Sequence, residues 1–240
     1  MAETSYSAVF YKQFYDFSCF YFQNDVFLRQ IRNIMNYLEF RDKILPLGCF
    51  SIQQVLLWFP NFDRTNLLRW VKKGYLIKLR SEYYAFSECE QTPDFQLLIA
   101  NKIYKPSYIS LHSALSFYGI IPEMVVQITS VSTLKTARFT NDFGEFSYNN
   151  VKEELYFGYE PKVLKDNRSI LFATPEKALL DLLYLYPFYN SNEEIENLRL
   201  DDSFMKEELN LKRLQDYLGI FKNKALEKRI KILLNMFDYA

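Results

Sequence analysis

Residues 63–86 read DRTNLLRWVKKGYLIKLRSEYYAF, and the interpretation of this stretch decides the fold. Asp63 is a suitable N-cap, because a short carboxylate side chain can accept from the orphan amides of a first helical turn. Leu67, Leu68, Trp70 and Val71 then form the apolar side of a helix, and Gly74 fits the left-handed position that closes it. Two short β-rich runs follow, Tyr75 to Leu79 and Tyr83 to Phe86, separated by Arg80, Ser81 and Glu82. A tight hairpin is the expectation.

Upstream, a helical stripe runs from Ile31 through Ile34, Leu38 and Leu45 and stops near Pro46 and Gly48. Ser51 opens a second short helix. Gln54 lies three residues on, so hydroxyl and carboxamide can exchange hydrogen bonds with the backbone as a capping box. Pro60 ends that helix. Three helices followed by a hairpin are the layout of a winged helix-turn-helix, here placed at residues 35–88.

Charge gives this segment a direction. The chain has 29 Lys and Arg against 29 Asp and Glu, so it is neutral overall and not a uniformly basic nucleic-acid scaffold. Yet residues 41–80 hold Arg41, Lys43, Arg64, Arg69, Lys72, Lys73, Lys78 and Arg80 against only Asp42 and Asp63. At 100° per residue, Thr65, Asn66, Arg69 and Lys73 fall opposite the apolar side of the third helix, with Lys72 on the flank. Arg, Lys and Asn are the types that meet base-edge acceptors, and cations at a helix end and wing hold phosphates. The expected DNA-binding residues are therefore Arg64, Thr65, Asn66, Arg69, Lys72, Lys73, Lys78 and Arg80, with Asn66 and Arg69 reading bases. An ordinary solvated helix face also carries cations, but usually mixed with acids.

Residues 87–96 are acidic and polar and read as a linker, with a second domain over 97–240. There Ser110 is placed to cap a helix bearing Leu111, Ala114, Leu115 and Tyr118, closed by Gly119. Val125 to Thr133, Ala137 to Thr140, Glu145 to Tyr148 and Glu154 to Tyr159 are rich in β-branched and aromatic residues, which predicts an antiparallel sheet of three to five strands. Ile170 to Ala173 adds a strand. Thr174 caps the next helix, Pro175 takes its first position and Glu176 faces its positive end. The tail is helical, with one stripe of Leu211, Leu214 and Leu218 ended by Gly219 and another of Leu226, Ile230, Leu233 and Phe237. Lys222, Lys224, Lys228, Arg229 and Lys231 surround the second stripe, as a solvated face, a further phosphate contact or a partner-binding surface. The fold class expected is α+β.

Two runs carry a family resemblance: residues 106–123, PSYISLHSALSFYGIIPE, and residues 173–181, ATPEKALLD. They resemble the AbiEi family, antitoxins of bacterial type IV toxin-antitoxin (abortive infection) systems, over about residues 36–190. The resemblance implies a DNA-binding, autorepressing transcriptional regulator. Its winged helix would bind inverted repeats of operator DNA as monomer or dimer, and its second domain would counter a nucleotidyltransferase-like toxin. Wings of that family carry Gly before the second strand, where this chain has Arg80-Ser81-Glu82-Tyr83.

Glu176, Lys177 and Asp181 offer the acidic and basic groups of a metal nuclease, but they share one helix, where Lys177 and Asp181 read as a solvent-side i,i+4 pair and Glu176 answers the helix dipole. A structural role is the first expectation for all three, a toxin- or partner-facing role the second. Cys19, Cys49 and Cys89 stand 30 and 40 residues apart and His112 is the only histidine, so neither a disulfide framework nor a metal site is expected. No Gly-rich phosphate loop or Gly-x-Ser-x-Gly elbow is present, and no cofactor or enzymatic activity is expected. Without a run of about 20 apolar residues the expected setting is the cytoplasm, not a membrane.

The first 34 residues are unusual in another way. Ten Phe or Tyr residues lie between Tyr6 and Phe27, which suits a partner-docking helix or a start of translation at Met35. Two alternatives to the DNA-binding reading remain: a winged helix that docks a protein only, and an enzyme acting on nucleic acid.

Overall fold

The computed structural model describes residues 36–237 apart from Glu90 and Asp166, so the N-terminal aromatic run and the start of the Ile31 stripe lie outside the described residues. The fold is mixed α+β, with helices packed on two sheets.

In the first half, helix α1 (Tyr37–Ile44) is followed by strand β1 (Cys49–Ser51), α2 (Ile52–Trp58), α3 (Thr65–Lys72), β2 (Leu76–Arg80) and β3 (Tyr83–Phe86). The strands form an antiparallel sheet in the order β1-β3-β2. Strand β1 went unseen in the sequence because three residues are too few to show a period of two, and all three are buried. The expected capping box is present: Ser51 N donates to Gln54 Oε1 at 2.9 Å and Gln54 N donates to Ser51 Oγ at 3.3 Å. Helix α1 turns a different side inward from the one expected. Phe40 and Ile44 are fully buried, whereas Leu38 is 61% exposed. The aromatic ring of Phe40 decides this, because it meets Phe50, Phe59, Phe62, Trp70 and Phe86 at ring-centroid distances of 4.6–6.2 Å. Around it, Val55, Leu67, Leu76 and Tyr84 complete a small core.

The second half begins earlier than expected. Helix α4 (Pro93–Ile103) occupies the end of the expected linker, with Thr92 Oγ1 accepting from Phe95 N at 3.2 Å and Phe95 buried. The polar composition of residues 92–94 belongs to a helix start, with a cap, a proline in the first turn and an acid facing the positive helix end. Strand β4 (Ser107–Ile109), helix α5 (Leu111–Phe117) and strands β5 (Gln127–Ser132), β6 (Ala137–Asn141), β7 (Gly144–Asn150), β8 (Tyr159–Val163) and β9 (Ser169–Ala173) follow. They build a six-stranded sheet in the order β6-β7-β5-β4-β9-β8.

This sheet is mixed, not antiparallel as expected: β5 runs parallel to β7 and β4 parallel to β9, while the remaining pairs are antiparallel. Residue pattern gives a strand its faces but not its neighbours. The strand expected over 154–159 is also displaced. Residues Glu153–Leu155 form a 3-10 turn and β8 starts at Tyr159. Pro161 within β8 is tolerated because this strand is at the sheet edge.

Helix α6 (Pro175–Leu185) starts as expected, with Thr174 accepting from Lys177 N. After α7 (Asn192–Glu196), helix α8 (Leu211–Phe221) runs through Gly219 and ends two residues later than expected, where Lys222 takes φ 47°. Helix α9 (Lys224–Met236) buries Leu226, Ile230 and Leu233 as its stripe predicts. Cys49, Leu79 and Ala85 from the small sheet belong to the same core as α4, α6 and the large sheet, so the two halves share packed interior. No described helix is long and apolar enough to cross a membrane.

Candidate nucleic-acid interface

Helix α3 is held by its own start and by the core beneath it. Asp63 caps it from two positions before the helix: Thr65 N donates to Oδ1 at 2.9 Å and Thr65 Oγ1 donates to Oδ2 at 2.6 Å. These bonds to Thr65 hold the Asp63 carboxyl below its ordinary range. Leu67 and Trp70 are buried, fixing the inner side, and Gly74 closes the helix at φ 73°.

The outer side differs from the expectation by a rotation of about 70° on the helical wheel. Asn66 is only 4% exposed, and its Oδ1 accepts a hydrogen bond from Arg69 Nη2 at 2.7 Å. It does not face outward to read a base. Leu68, assigned from the sequence to the apolar side, is 56% exposed. Setting Thr65 at zero, Leu68, Arg69 and Lys72 lie within about 60° of it, and Asn66 falls near 100°, toward Trp70. The small core is narrow enough to be filled by Leu67 and Trp70, and leaves Leu68 in water.

Arg69, Lys72, Lys73 and Lys78 are exposed, and among the described residues no carboxylate pairs with any of them. Lys73 lies 5.9 Å from the centroid of the Tyr75 ring. Arg64 is exposed but 3.9 Å from Glu82 at the hairpin turn, which also accepts from Gln53 at 2.8 Å. Glu82 itself adopts φ 63°, the turn conformation that glycine would take without strain. Arg41 is committed elsewhere, in a two-pronged bond to Glu88 at 2.7 Å for each nitrogen. That pairing lowers the Glu88 carboxyl.

Arg80 departs most from its expected role of holding phosphate. Its Nη1 donates to Ile103 O at 2.5 Å, and the guanidinium lies 5.1 Å from the Tyr104 ring and 4.7 Å from the Phe139 ring. Together with a bond from Asn141 Nδ2 to Leu79 O at 3.1 Å, this pins the end of β2 to the large sheet. The end of β2 is therefore packed against the second half, whereas Ser81 and Glu82 at the turn are exposed, and Lys78 is the outward cation of the strand.

The second group of candidates, Glu176, Lys177 and Asp181, lies inside the protein and not on its surface. Lys177 and Asp181 do pair at i,i+4, but both side chains are completely buried, which corrects the expectation of a solvent-side pair. Asp181 Oδ2 also accepts from Tyr108 at 2.9 Å and from Ser110 at 2.8 Å. Ser110 thus spends its hydroxyl on Asp181, not on capping α5 as expected, and Leu111 next to it sits at φ 59°. Lys177 Nζ is 4.8 Å from the Phe157 and Phe221 ring centroids. Burial pushes the Lys177 ammonium down and the Asp181 carboxyl up, against their mutual attraction. Glu176 is 2% exposed; it accepts from Asn210 N at 3.1 Å and faces Arg213 at 3.6 Å. With all three interior, none is presented to a partner. Burial of this kind is invisible in local pattern, because an i,i+4 charge pair reads alike whether water or protein covers it. Among the described residues no three His, Cys, Asp or Glu side chains are grouped to hold a metal ion.

No family model matches the chain, and no curated protein matches it.

Proposed function

We propose that residues 36–88 are a winged helix-turn-helix that binds double-stranded DNA, with α3 as the helix that enters the major groove. One observation carries this reading: the outer side of α3 is uncovered by the second half and presents Arg69, Lys72 and Lys73 without carboxylate partners. The element order supports it, since helix, strand, helix, helix and hairpin follow one another as in winged helix-turn-helix proteins. Arg69 is the base-reading side chain, forked toward guanine O6 and N7. Lys72, Lys73 and Lys78 hold phosphates, joined by Arg64 when it releases Glu82, an exposed pair of small worth. Arg80 is removed from the contact set by its bond to Ile103.

Taken with the AbiEi resemblance, the reading extends to an autorepressing antitoxin in the cytoplasm, acting on operator inverted repeats and countering a nucleotidyltransferase-like toxin. The buried Lys177–Asp181 cluster is then a scaffold for the second half and not its toxin-facing surface. A gel shift on the DNA upstream of the protein's own reading frame, competed with random duplex at several salt concentrations, tests the DNA-binding step. Binding that resists random competitor supports the reading, and absence of a shift at low salt refutes it. A nucleotidyltransferase-like reading frame next to this one supports the antitoxin step.

A second reading, a module that docks protein only, is favoured by Leu57 at 79% and Trp58 at 53% exposure on α2. The same gel shift separates the two.

A further inference from the structure

From the outer side of α3 we infer, resting on the DNA-binding reading, that Leu68 contacts the C5 methyl group of a thymine in the half-site where Arg69 reads guanine. A leucine 56% exposed between Arg69 and the Arg64 turn is the apolar member of an otherwise cationic and polar surface. Leu67 and Trp70 fill the core below, so Leu68 has no interior role to explain it. The major groove presents one apolar group, the thymine methyl, and an aliphatic side chain on a groove-entering helix is the complement to it.

Thr65, one turn earlier on the same side, strengthens the case. Its hydroxyl donates to Asp63 Oδ2 at 2.6 Å, so it has no proton to give to a base acceptor, and its methyl is the group left for apolar contact. The outer side of α3 therefore carries one bidentate hydrogen-bond donor, Arg69, beside an aliphatic patch of Leu68 and the Thr65 methyl. Such a surface discriminates thymine from cytosine at the position under Leu68. Phosphate-holding lysines flank it and supply affinity without sequence preference.

The test replaces each thymine of the protected upstream half-site by uracil, which deletes the methyl and keeps every hydrogen-bonding atom, and measures binding by the unaltered protein and by Leu68→Ala. Burying one methyl corresponds to about fourfold in affinity. One thymine-to-uracil change should weaken the unaltered protein about fourfold and leave Leu68→Ala unaffected. Random-duplex affinity and the salt slope should be the same for both proteins. Indifference of the unaltered protein to every uracil, or equal sensitivity in Leu68→Ala, overturns this inference alone. If the unaltered protein binds no upstream DNA at low salt, the DNA-binding reading falls and takes this one with it. Loss of a protein partner by Leu68→Ala with DNA binding unchanged also overturns it, and assigns Leu68 to protein docking with Leu57 and Trp58.

Discussion

Asn66 and Arg69 stand one helical turn apart on α3, and the carboxamide oxygen of the buried Asn66 accepts from the guanidinium of the exposed Arg69 at 2.7 Å. An arginine side chain loses much rotamer freedom when it is held in one orientation, so an arginine restrained before binding has less to lose on contact. Arg69→Ala should lower affinity for upstream DNA by about 1–3 kcal/mol and leave random duplex nearly unaffected. Asn66→Ala should show the same specificity pattern at a smaller size. Competition titrations with the two duplexes measure both, and equal losses on both DNAs for Arg69→Ala would exclude it as a base reader.

Lysines and Arg80 should separate in the salt dependence of binding. On the proposed DNA-binding reading, Lys72→Ala, Lys73→Ala and Lys78→Ala should each reduce the slope of log affinity against log salt by about 0.9, the value for one phosphate contact and the counterion it displaces. Arg80→Ala should leave the slope unchanged and lower the melting temperature, since its guanidinium bonds Ile103 O and covers the Tyr104 and Phe139 rings. A slope change for Arg80→Ala would return that residue to the DNA interface.

Both side chains of the Lys177–Asp181 pair are shut off from solvent, and removing one partner leaves a charge or its acceptors stranded. Lys177→Met or Asp181→Leu alone should cost about 3–5 kcal/mol, while the double replacement should cost far less than the two singles together. Urea unfolding of the three variants checks this. Losses that simply add would mean that the two charges are not coupled in the folded protein.

Asp63 gives a pH signature of α3. Its carboxyl is held below the ordinary value by Thr65, so the folded state favours the ionised form. Stability from this cap is therefore fully present above the unfolded carboxylate pKa of about 3.9, and is lost as pH falls through the lower folded value. The melting-temperature difference between the unaltered protein and Asp63→Ala should be constant near neutral pH and shrink below the ordinary carboxylate range. A difference that persists unchanged at pH 2 would assign the effect to packing.

The sequence was most informative where a local rule acts over a few residues. The Ser51–Gln54 capping box, the Gly74 closure, the hairpin over residues 75–86, the Thr174-Pro175 helix start and the α9 stripe are all in place. It was least informative where two remote segments compete for one surface. Arg80 looks like any cation of a hairpin until Tyr104 and Phe139 approach it, and Lys177 looks like a surface lysine until Phe157 and Phe221 cover it. Leu68 lay at the edge of the apolar arc, where a small shift in helix rotation moves a residue from core to solvent.

The chain by itself determined several helix starts and closures, that residues 41–80 concentrate positive charge, and which side of α3 carries it to within about 70°, since these follow from nearest-neighbour backbone chemistry and a fixed helical period. Tertiary structure alone decided that the large sheet is mixed, that Asn66 turns inward to hold Arg69, that Arg80 pins the hairpin to the second half, and that the Lys177–Asp181 pair is sealed. Each of those depends on residues brought together across the chain, where burial sets the cost of a polar group and local pattern carries no record of which partner will meet it.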